Sequence, residues 1–290
     1  MNKKEVSALI SLLDDPDDSV FENVKERLLD MGREIIPELE SAWEHSFDSI
    51  MQGRIEEIIH TIQFQLIKEE LQAWTEPSGR DLLDGALILA RYQYPDLNEK
   101  KVRKEFDRIK QDIWLELNNN LTSLEKIRVL NHIIFNVHGY SGNTTNYHAP
   151  QNSFINDVVE TKKGNPLSLS VLYCVVANSL GIPIYGVNLP EHFILAYVDT
   201  HEDFPVEKES RNKILFYINP FSKGTVFGKK EIDSFLQQLK LPATEKYYNP
   251  CSNVDMIRRM INNLIMSFQK QGYASKAKEL HELLGCLPEQ

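Results

Sequence analysis

The sequence predicts a mostly helical α+β protein in which one buried helix packs against a small sheet. The first observation is the start of that helix: Gly164 can end a preceding element, Asn165 is a good N-cap, and Pro166 suits the first helical position. The second is a pair of short β-prone runs, residues 184–189 and 193–198, that follow the helix. The third is helical periodicity on both sides of this segment.

The helix that starts at Pro166 carries apolar residues at steps of three and four, so one broad face is predicted to meet a core. These residues are Leu169, Leu172, Tyr173, Val176 and Leu180. Gly181 and Pro183 end the helix. Because Pro190 interrupts the β-prone residues, they form either two adjacent strands or one bent strand with His192 at the bend.

The composition narrows the class of protein. The 290 residues, 42% of them hydrophobic, suffice for one substantial domain with helical additions or for two domains. The 42 acidic and 32 basic residues give a net charge of -10, which disfavours binding to a phosphate backbone. We therefore expect no nucleic-acid partner.

The cysteines and the hydropathy point to the cytoplasm. Cys174, Cys251 and Cys286 are too widely spaced for a disulfide framework or a metal cluster, and their odd number suits a reducing compartment. The apolar run at residues 6–13 is short and ends in acidic residues, unlike a signal peptide. No segment approaches the ~18 apolar residues of a membrane span, so no membrane partner is expected.

Periodicity and turn residues predict three domains. Residues 1–78 form a helical lobe, residues 79–250 the α+β domain, and residues 251–290 a helical hairpin. The N-terminal lobe resembles a HEAT-type repeat and either packs on the core or binds a partner; its acidic cluster at 14–18 is a solvated turn rather than a Ca²⁺ loop. The C-terminal hairpin resembles one tetratricopeptide unit and is either a lid on the core or a peptide-binding element.

Residues 214–221 contain a further predicted strand, which ends at Asn219. The polar stretch before it, residues 201–213, is predicted to be a hairpin excursion. The order of helix, His192 strand and Asn219 strand resembles the transglutaminase-like and papain-like cysteine enzymes. In these families a Cys at the helix start faces a His on the next strand, because the helix N-terminus and the imidazolium both favour a thiolate. Counting back fifteen residues from Gly181 places the expected Cys at Pro166, so this nucleophile is missing.

The residue sequences of these motifs are similar to those of the SirB-type transglutaminase-like family. This family occurs in bacteria and is fused to F-box proteins in animals. The resemblance covers residues 81–221, and its clearest parts are Gly-Asn-Pro-Leu-Ser-Leu at 164–169 and Gly-Val-Asn-Leu-Pro-Glu-His-Phe at 186–193. Two positions depart from the family: Glu191 stands where a Gly is usual, and Asn219 where an Asp is usual.

The resemblance, without its Cys, implies a non-catalytic cytoplasmic protein that binds or regulates another protein or a peptide. The alternative is an acyl-transfer enzyme, a hydrolase or transglutaminase, that uses Ser168, His192 and Asn219. Ser168 is either a nucleophile activated by His192 or a residue that bonds the first helical turn. His192 is either buried and hydrogen-bonded, a general base, or a ligand contact.

Candidate groove residues lie around this helix start. They are Asn165, Glu191, Tyr140, Tyr147 and Asn152. Each loop tyrosine has an alternative role as an anchor for the glycine- and asparagine-rich loop at 139–151. No two histidines share a helix face with a carboxylate, so neither a metal site nor a cofactor is expected. Cys174, about two turns into the helix, is expected to be a core thiol.

Overall fold

The computed structural model describes residues 3–76, 80–199 and 213–288. The chain divides into two compact units, residues 1–70 and 71–290. The excursion expected at residues 201–212 lies outside the described residues, as do residues 77–79 at the expected first domain boundary. None of the described helices is both long enough and apolar enough to cross a bilayer.

The first unit is helical, as the periodicity predicts. Its helices are α1 (Lys3–Ser11), α2 (Asp18–Asp30), α3 (Ile36–His45) and α4 (Ser49–Trp74), the last of which runs past residue 70. The acidic cluster forms the turn before α2, where the Asp17 carboxylate caps the helix by accepting a hydrogen bond from Ser19 N at 2.8 Å. The core of the unit includes Leu13, Leu28, Ile35 and Leu39, all fully buried.

The second unit contains the remaining helices and the strands. The helices are α5 (Leu82–Gln93), α6 (Glu99–Glu116), α7 (Ser123–Asn131), α8 (Ile155–Thr161), α9 (Pro166–Ser179), α10 (Lys229–Gln238), α11 (Asn253–Lys270) and α12 (Ala274–Gly285). The strands are β1 (Ser141–Gly142), β2 (Lys163–Gly164), β3 (Ile184–Asn188), β4 (Phe193–Asp199), β5 (Lys213–Asn219) and β6 (Thr225–Phe227). Strands β1 and β2 form a short parallel pair that leads into α9.

The four later strands form an antiparallel sheet in the order β3-β4-β5-β6. The register pairs Ile184 with Tyr197 and Leu195 with Ile218. The residues around Pro190 are therefore two adjacent strands rather than one bent strand. Residues of β3, β4 and β5 form a hydrophobic cluster with Ile232 and Leu236 of α10, while α9 packs against β3 and β4. This confirms the predicted α+β class.

Helix α9 is the centre of this unit. It contacts α5, α6 and α11 as well as β3 and β4, and every residue from Pro166 to Cys174 is buried. The predicted buried helix is therefore confirmed. Its burial extends beyond the one apolar face that the periodicity indicates, because a helix surrounded on all sides buries its small polar residues too. Ser168 and Ser170 are among those buried residues. Cys174 is a core thiol, as expected, and burial raises its pKa well above the usual range.

Helix α11 supplies another wall of the second unit. It packs against α5, α9, β3 and the 3₁₀ turn Pro150–Ser153, and pairs with α12. Its buried positions recur at steps of three and four, which gives one continuous apolar face. They are Val254, Met256, Ile257, Met260, Ile261, Leu264, Ile265 and Phe268. The residues between them face outward or toward the neighbouring loops, and some of them reach the candidate site.

Candidate functional site

The start of α9 is held by a complete capping box. Asn165 Oδ1 accepts a hydrogen bond from Ser168 N at 2.8 Å, and Ser168 Oγ accepts one from Asn165 N at 3.0 Å. The Asn165 amide also donates to Ser153 Oγ at 2.9 Å, which ties the helix to the preceding 3₁₀ turn. The prediction that a helix begins at Pro166 after an Asn165 cap is thereby confirmed.

The Ser168 hydroxyl is committed to this cap. It donates to the Asn152 carbonyl oxygen at 2.6 Å, and its side chain is only 1% exposed. A Cβ on Gly164 would lie 2.6 Å from Ser168 Oγ, so the glycine before the cap leaves room for the hydroxyl. Of the two roles predicted for Ser168, the structure contains the first-turn bond and no contact with His192 in the described part of the chain.

A cleft of ≈ 390 Å³ opens in front of this helix start. Three segments line one side: the loop 147–149, the helix start 165–167 and the bend 191–193. The opposite wall is one face of α11, formed by Arg259, Asn263, Met266, Ser267 and Lys270. These five positions recur at helical steps, so they share one stripe. The residues that line the cleft thus include Pro166 at the start of α9 and a face of α11 that carries Arg259 and Lys270.

His192 is exposed at the edge of this cleft. Its ring meets the ring of Phe235 from α10 edge to face, with the centroids 5.0 Å apart. It makes no hydrogen bond to any described residue, so the prediction of a buried, hydrogen-bonded histidine is wrong. The reason is that the bend before β4 turns the side chain out of the sheet before the buried strand begins at Phe193.

Asn219 ends β5 and lies at the same end of the sheet as His192. Its neighbour Ile218 pairs with Leu195, three residues after His192. The Asn219 amide oxygen accepts a hydrogen bond from Ser222 N at 3.3 Å and thereby caps a short 3₁₀ turn. Within the described residues no hydrogen bond joins His192 to Asn219, so the Asn219 amide does not orient the imidazole here.

Glu191 has a left-handed backbone conformation, with φ of 58°. Only glycine adopts this region without a steric cost, which explains why the resembling family has a Gly at this position. The Glu191 side chain is exposed and lines the cleft. The chain thus carries both backbone strain and a carboxylate at the mouth of the cleft.

The remaining groove candidates separate into two groups. Asn165 and Tyr147 line the cleft, and Tyr147 is 41% exposed with its ring edge-to-face against Phe221 at 5.9 Å. Tyr140 is fully buried, and Asn152 is nearly so. Neither of these two lines the cleft, so their assignment to a groove is wrong.

Both misassigned residues have internal hydrogen-bond partners instead. The Tyr140 hydroxyl accepts a hydrogen bond from Lys162 Nζ at 3.0 Å. Asn152 accepts from Asn143 Nδ2 at 2.8 Å and donates to the carbonyl oxygen of Asn146 at 2.6 Å. Asn152 therefore shapes the loop from inside, and Tyr140 anchors its beginning.

Arg259 is one of the α11 residues of the cleft that the sequence patterns did not single out. It is half-buried, and its Nη1 donates to Asn188 Oδ1, at the end of β3, at 3.0 Å. Burial lowers the pKa of its guanidinium, and the nearby Tyr147 only partly opposes this. The stripe of α11 to which Arg259 belongs is visible in the sequence, but nothing there indicates which neighbour that stripe faces.

The described residues contain no metal-binding cluster, and those that line the cleft include no cysteine. No three His, Cys, Asp or Glu side chains there are grouped as a metal site would need. Cys251 adjoins β3, since its N–H donates to the carbonyl oxygen of Gly186 at 2.8 Å. Burial raises its pKa to about 12, so it is protonated at neutral pH.

Comparison with known proteins places this geometry in context. A UPF0162 protein of Xylella fastidiosa (strain 9a5c) is 30% identical over 193 residues, which are 63% of this chain and 63% of that protein. Human F-box only protein 21 is 23% identical over 251 residues, 78% of this chain and 39% of that protein. The UPF0162 protein YchA of Escherichia coli (strain K12) is 21% identical over 206 residues, 70% of this chain and 72% of that protein.

The matched region thus covers less than two thirds of the Xylella and human relatives. No solved structure matches the chain. A family profile described as the transglutaminase-like superfamily matches residues 100–262, which include α9, the whole antiparallel sheet and Arg259 of α11. The chain therefore belongs to the transglutaminase-like superfamily.

Proposed function

We propose that this protein is a non-catalytic, cytoplasmic member of the superfamily that holds a protein or peptide segment in the cleft before α9. The observation that carries the proposal is the identity of the residue at the start of this helix. Pro166 lines the cleft where the resembling enzymes have their cysteine, and proline has no nucleophilic atom. The cleft remains while the reactive group is gone.

The walls of the cleft suit a peptide. Its volume of ≈ 390 Å³ falls in the range of ligand pockets, about 300–1,000 Å³. Tyr147 and Met266 supply exposed apolar surface, and Asn263 supplies an amide group beside it. A peptide segment presents both apolar side chains and backbone hydrogen-bonding groups, so it can use both kinds of wall.

The alternative, acyl transfer by Ser168, His192 and Asn219, requires a nucleophile within hydrogen-bond reach of its base. The Ser168 hydroxyl is buried and bonded to Asn152 and Asn165, while His192 is exposed beside Phe235. An attack by Ser168 would have to break the cap of α9. The binding function needs no such rearrangement, and we prefer it for that reason.

The proposal also covers the branch of the superfamily and the type of each helical lobe. We assign the chain to the SirB-type branch because its motifs at 164–169 and 186–193 resemble that branch. The lobe at 1–78 is proposed to be HEAT-like, and the hairpin at 251–290 to be a tetratricopeptide-like unit beside the domain at 79–250. The net charge of -10 supports a protein partner rather than a nucleic acid.

An affinity selection tests the function. Immobilised protein is incubated with a solution library of octapeptides with free termini, and the retained peptides are identified by mass spectrometry. Ser267→Trp fills the cleft from α11, whereas Gln269→Trp adds the same ring at an exposed position of α11 outside the cleft. We expect Ser267→Trp to abolish retention and Gln269→Trp to preserve it, with thermal unfolding as the check that both variants fold.

The same preparation tests the enzymatic alternative. A fluorophosphonate probe should label neither Ser168 nor any other serine of the protein, because a capped, buried hydroxyl is not activated. Stoichiometric labelling of Ser168, or peptide retention that Ser267→Trp leaves intact, would overturn the proposal.

A further inference from the structure

The charges of the cleft are unbalanced in a protein with a net charge of -10. Among the described residues that line it, Arg259 and Lys270 are cationic and Glu191 is the one acidic residue. His148 and His192 add two further groups that become cationic on protonation. The cleft therefore has a local charge opposite to that of the whole chain.

Arg259 is the centre of this imbalance. No carboxylate oxygen of the described residues lies within 4.0 Å of its guanidinium, and its hydrogen-bond partner is the neutral Asn188 amide at 3.0 Å. Guanidinium groups carry five N–H donors in a planar fork, and half-buried charges normally have a charged partner. Several donors of Arg259 are thus left for a ligand that enters the cleft.

Lys270 lies farther along the same wall. It is exposed, and its Nζ lies 3.5 Å from His148 Nε2, with no acidic partner among the described residues. Eleven residues separate Arg259 from Lys270, which places their backbones about 16 Å apart at 1.5 Å per residue. An extended peptide covers about 16 Å in roughly five residues. A small inorganic anion would reach only one of the two cations.

We propose that the cleft selects acidic peptides, with a carboxylate of the peptide paired to Arg259 and the chain running along α11 toward Lys270. This rests on the proposed binding function. The planar fork of Arg259 matches a carboxylate in bidentate geometry. The carboxylate comes from an Asp or Glu side chain or from the C-terminus of the peptide. Met266, which is 57% exposed, offers apolar surface to the residues next to it.

The octapeptide selection described above also tests this inference. We expect the peptides retained by the unmodified protein to be enriched in Asp and Glu or to share their last residues. The best peptides are then synthesised as free acids, as C-terminal amides, and with each Asp or Glu changed to Asn or Gln. Fluorescence polarisation of these sets identifies which carboxylate is bound, without any change to the protein.

Variants of the protein give the second measurement. Arg259→Gln keeps an amide that can bond Asn188 but removes the charge. It should lower the affinity for the free-acid peptide about tenfold or more. Arg128→Gln removes the same charge at an exposed position of α7 outside the cleft and should change nothing. The neutral peptide should bind the unmodified protein and Arg259→Gln equally, because only the acid uses the guanidinium.

The outcomes separate the two claims. The acidic selectivity would be overturned if retained peptides that compete for the cleft lost no affinity on C-terminal amidation or on changing Asp and Glu to Asn and Gln. The binding function would then still stand. Retention that survives Ser267→Trp would overturn the binding function itself. If Arg259→Gln does not fold, affinity of the unmodified protein for the acid and the neutral peptide at rising salt still decides, since only the acid should weaken.

Discussion

Lys162 and Arg259 are partly buried cations of the same compact unit with different surroundings. Lys162 Nζ lies 2.6 Å from Glu105 Oε1, donates to the Tyr140 hydroxyl, and lies 4.4 Å from the centre of the Tyr140 ring. Its side chain is 31% exposed. Arg259 has the amide of Asn188 and no carboxylate within reach among the described residues.

This difference distinguishes a charge that stabilises the fold from one that does not. A cation with its own carboxylate and phenol is satisfied without a ligand, and removing it takes from Glu105 its closest cation. A cation that faces a cleft without a carboxylate has lost part of its hydration and gained little in return. The first arrangement stabilises the native state, whereas the second leaves guanidinium donors for the peptide carboxylate that we propose as the ligand.

The largest expected effect comes from the same substitution at both sites. Lys162→Met should lower the free energy of unfolding by about 2 kcal/mol, between the values for exposed and buried pairs. Arg259→Met should stay within about 0.5 kcal/mol of the unmodified protein, because the lost bond to Asn188 is offset by the removed desolvation. Chemical denaturation at neutral pH measures both, and equal losses would contradict the distinction.

The pH dependence gives a second, smaller contrast. Burial alone would raise the pKa of Glu105, but the hydrogen bond and charge of Lys162, with the charges of His138 and Arg108, lower it below its ordinary value of 4.5. A carboxyl whose folded pKa is depressed stabilises the protein above its unfolded pKa. That contribution is lost as the pH falls through the folded pKa.

The stability difference between the unmodified protein and Glu105→Gln should therefore be full at neutral pH and shrink as the solution is acidified below 4.5. The effect of Arg259→Met should stay constant over the same range, since a guanidinium remains protonated there. Denaturation curves at several pH values measure both differences. A Glu105→Gln difference that grows on acidification would reverse the sign assigned here.

The smallest expected effect comes from giving Arg259 an internal carboxylate partner like that of Lys162. Asn188→Asp would place a carboxylate where the amide now lies 3.0 Å from Arg259 Nη1. We expect a gain in stability of up to about 1 kcal/mol. We also expect a loss of affinity for acidic peptides, because the internal carboxylate competes for the fork. Tighter binding of acidic peptides by Asn188→Asp would show that Arg259 is not their contact.

The sequence predicted the features that depend on neighbouring residues. The Gly164, Asn165 and Pro166 signals mark the start of α9, because caps and first-turn prolines act through backbone groups a few residues away. The burial of Cys174 follows from its place in an apolar helix. The missing nucleophile at Pro166 stays a prediction, made by counting along the chain from Gly181.

The contacts between distant segments were decided by the tertiary structure alone. Tyr140 and Tyr147 occupy the same kind of loop, yet Tyr140 is buried with its hydroxyl bonded to Lys162, while Tyr147 lines the cleft. Ser168 has the residue type of a nucleophile, but the packing of Asn152 against the helix start assigns its hydroxyl to the cap.

Arg259 enters the site from a helix 93 residues beyond Pro166 in the chain. The helical stripe to which it belongs follows from the spacing of residues in the sequence, because a helix repeats every 3.6 residues. The direction in which that stripe faces does not, because it depends on how α11 packs against α9 and β3. Local backbone chemistry determined where the elements of this protein begin, and the burial of apolar faces between distant elements determined which polar groups meet in the cleft.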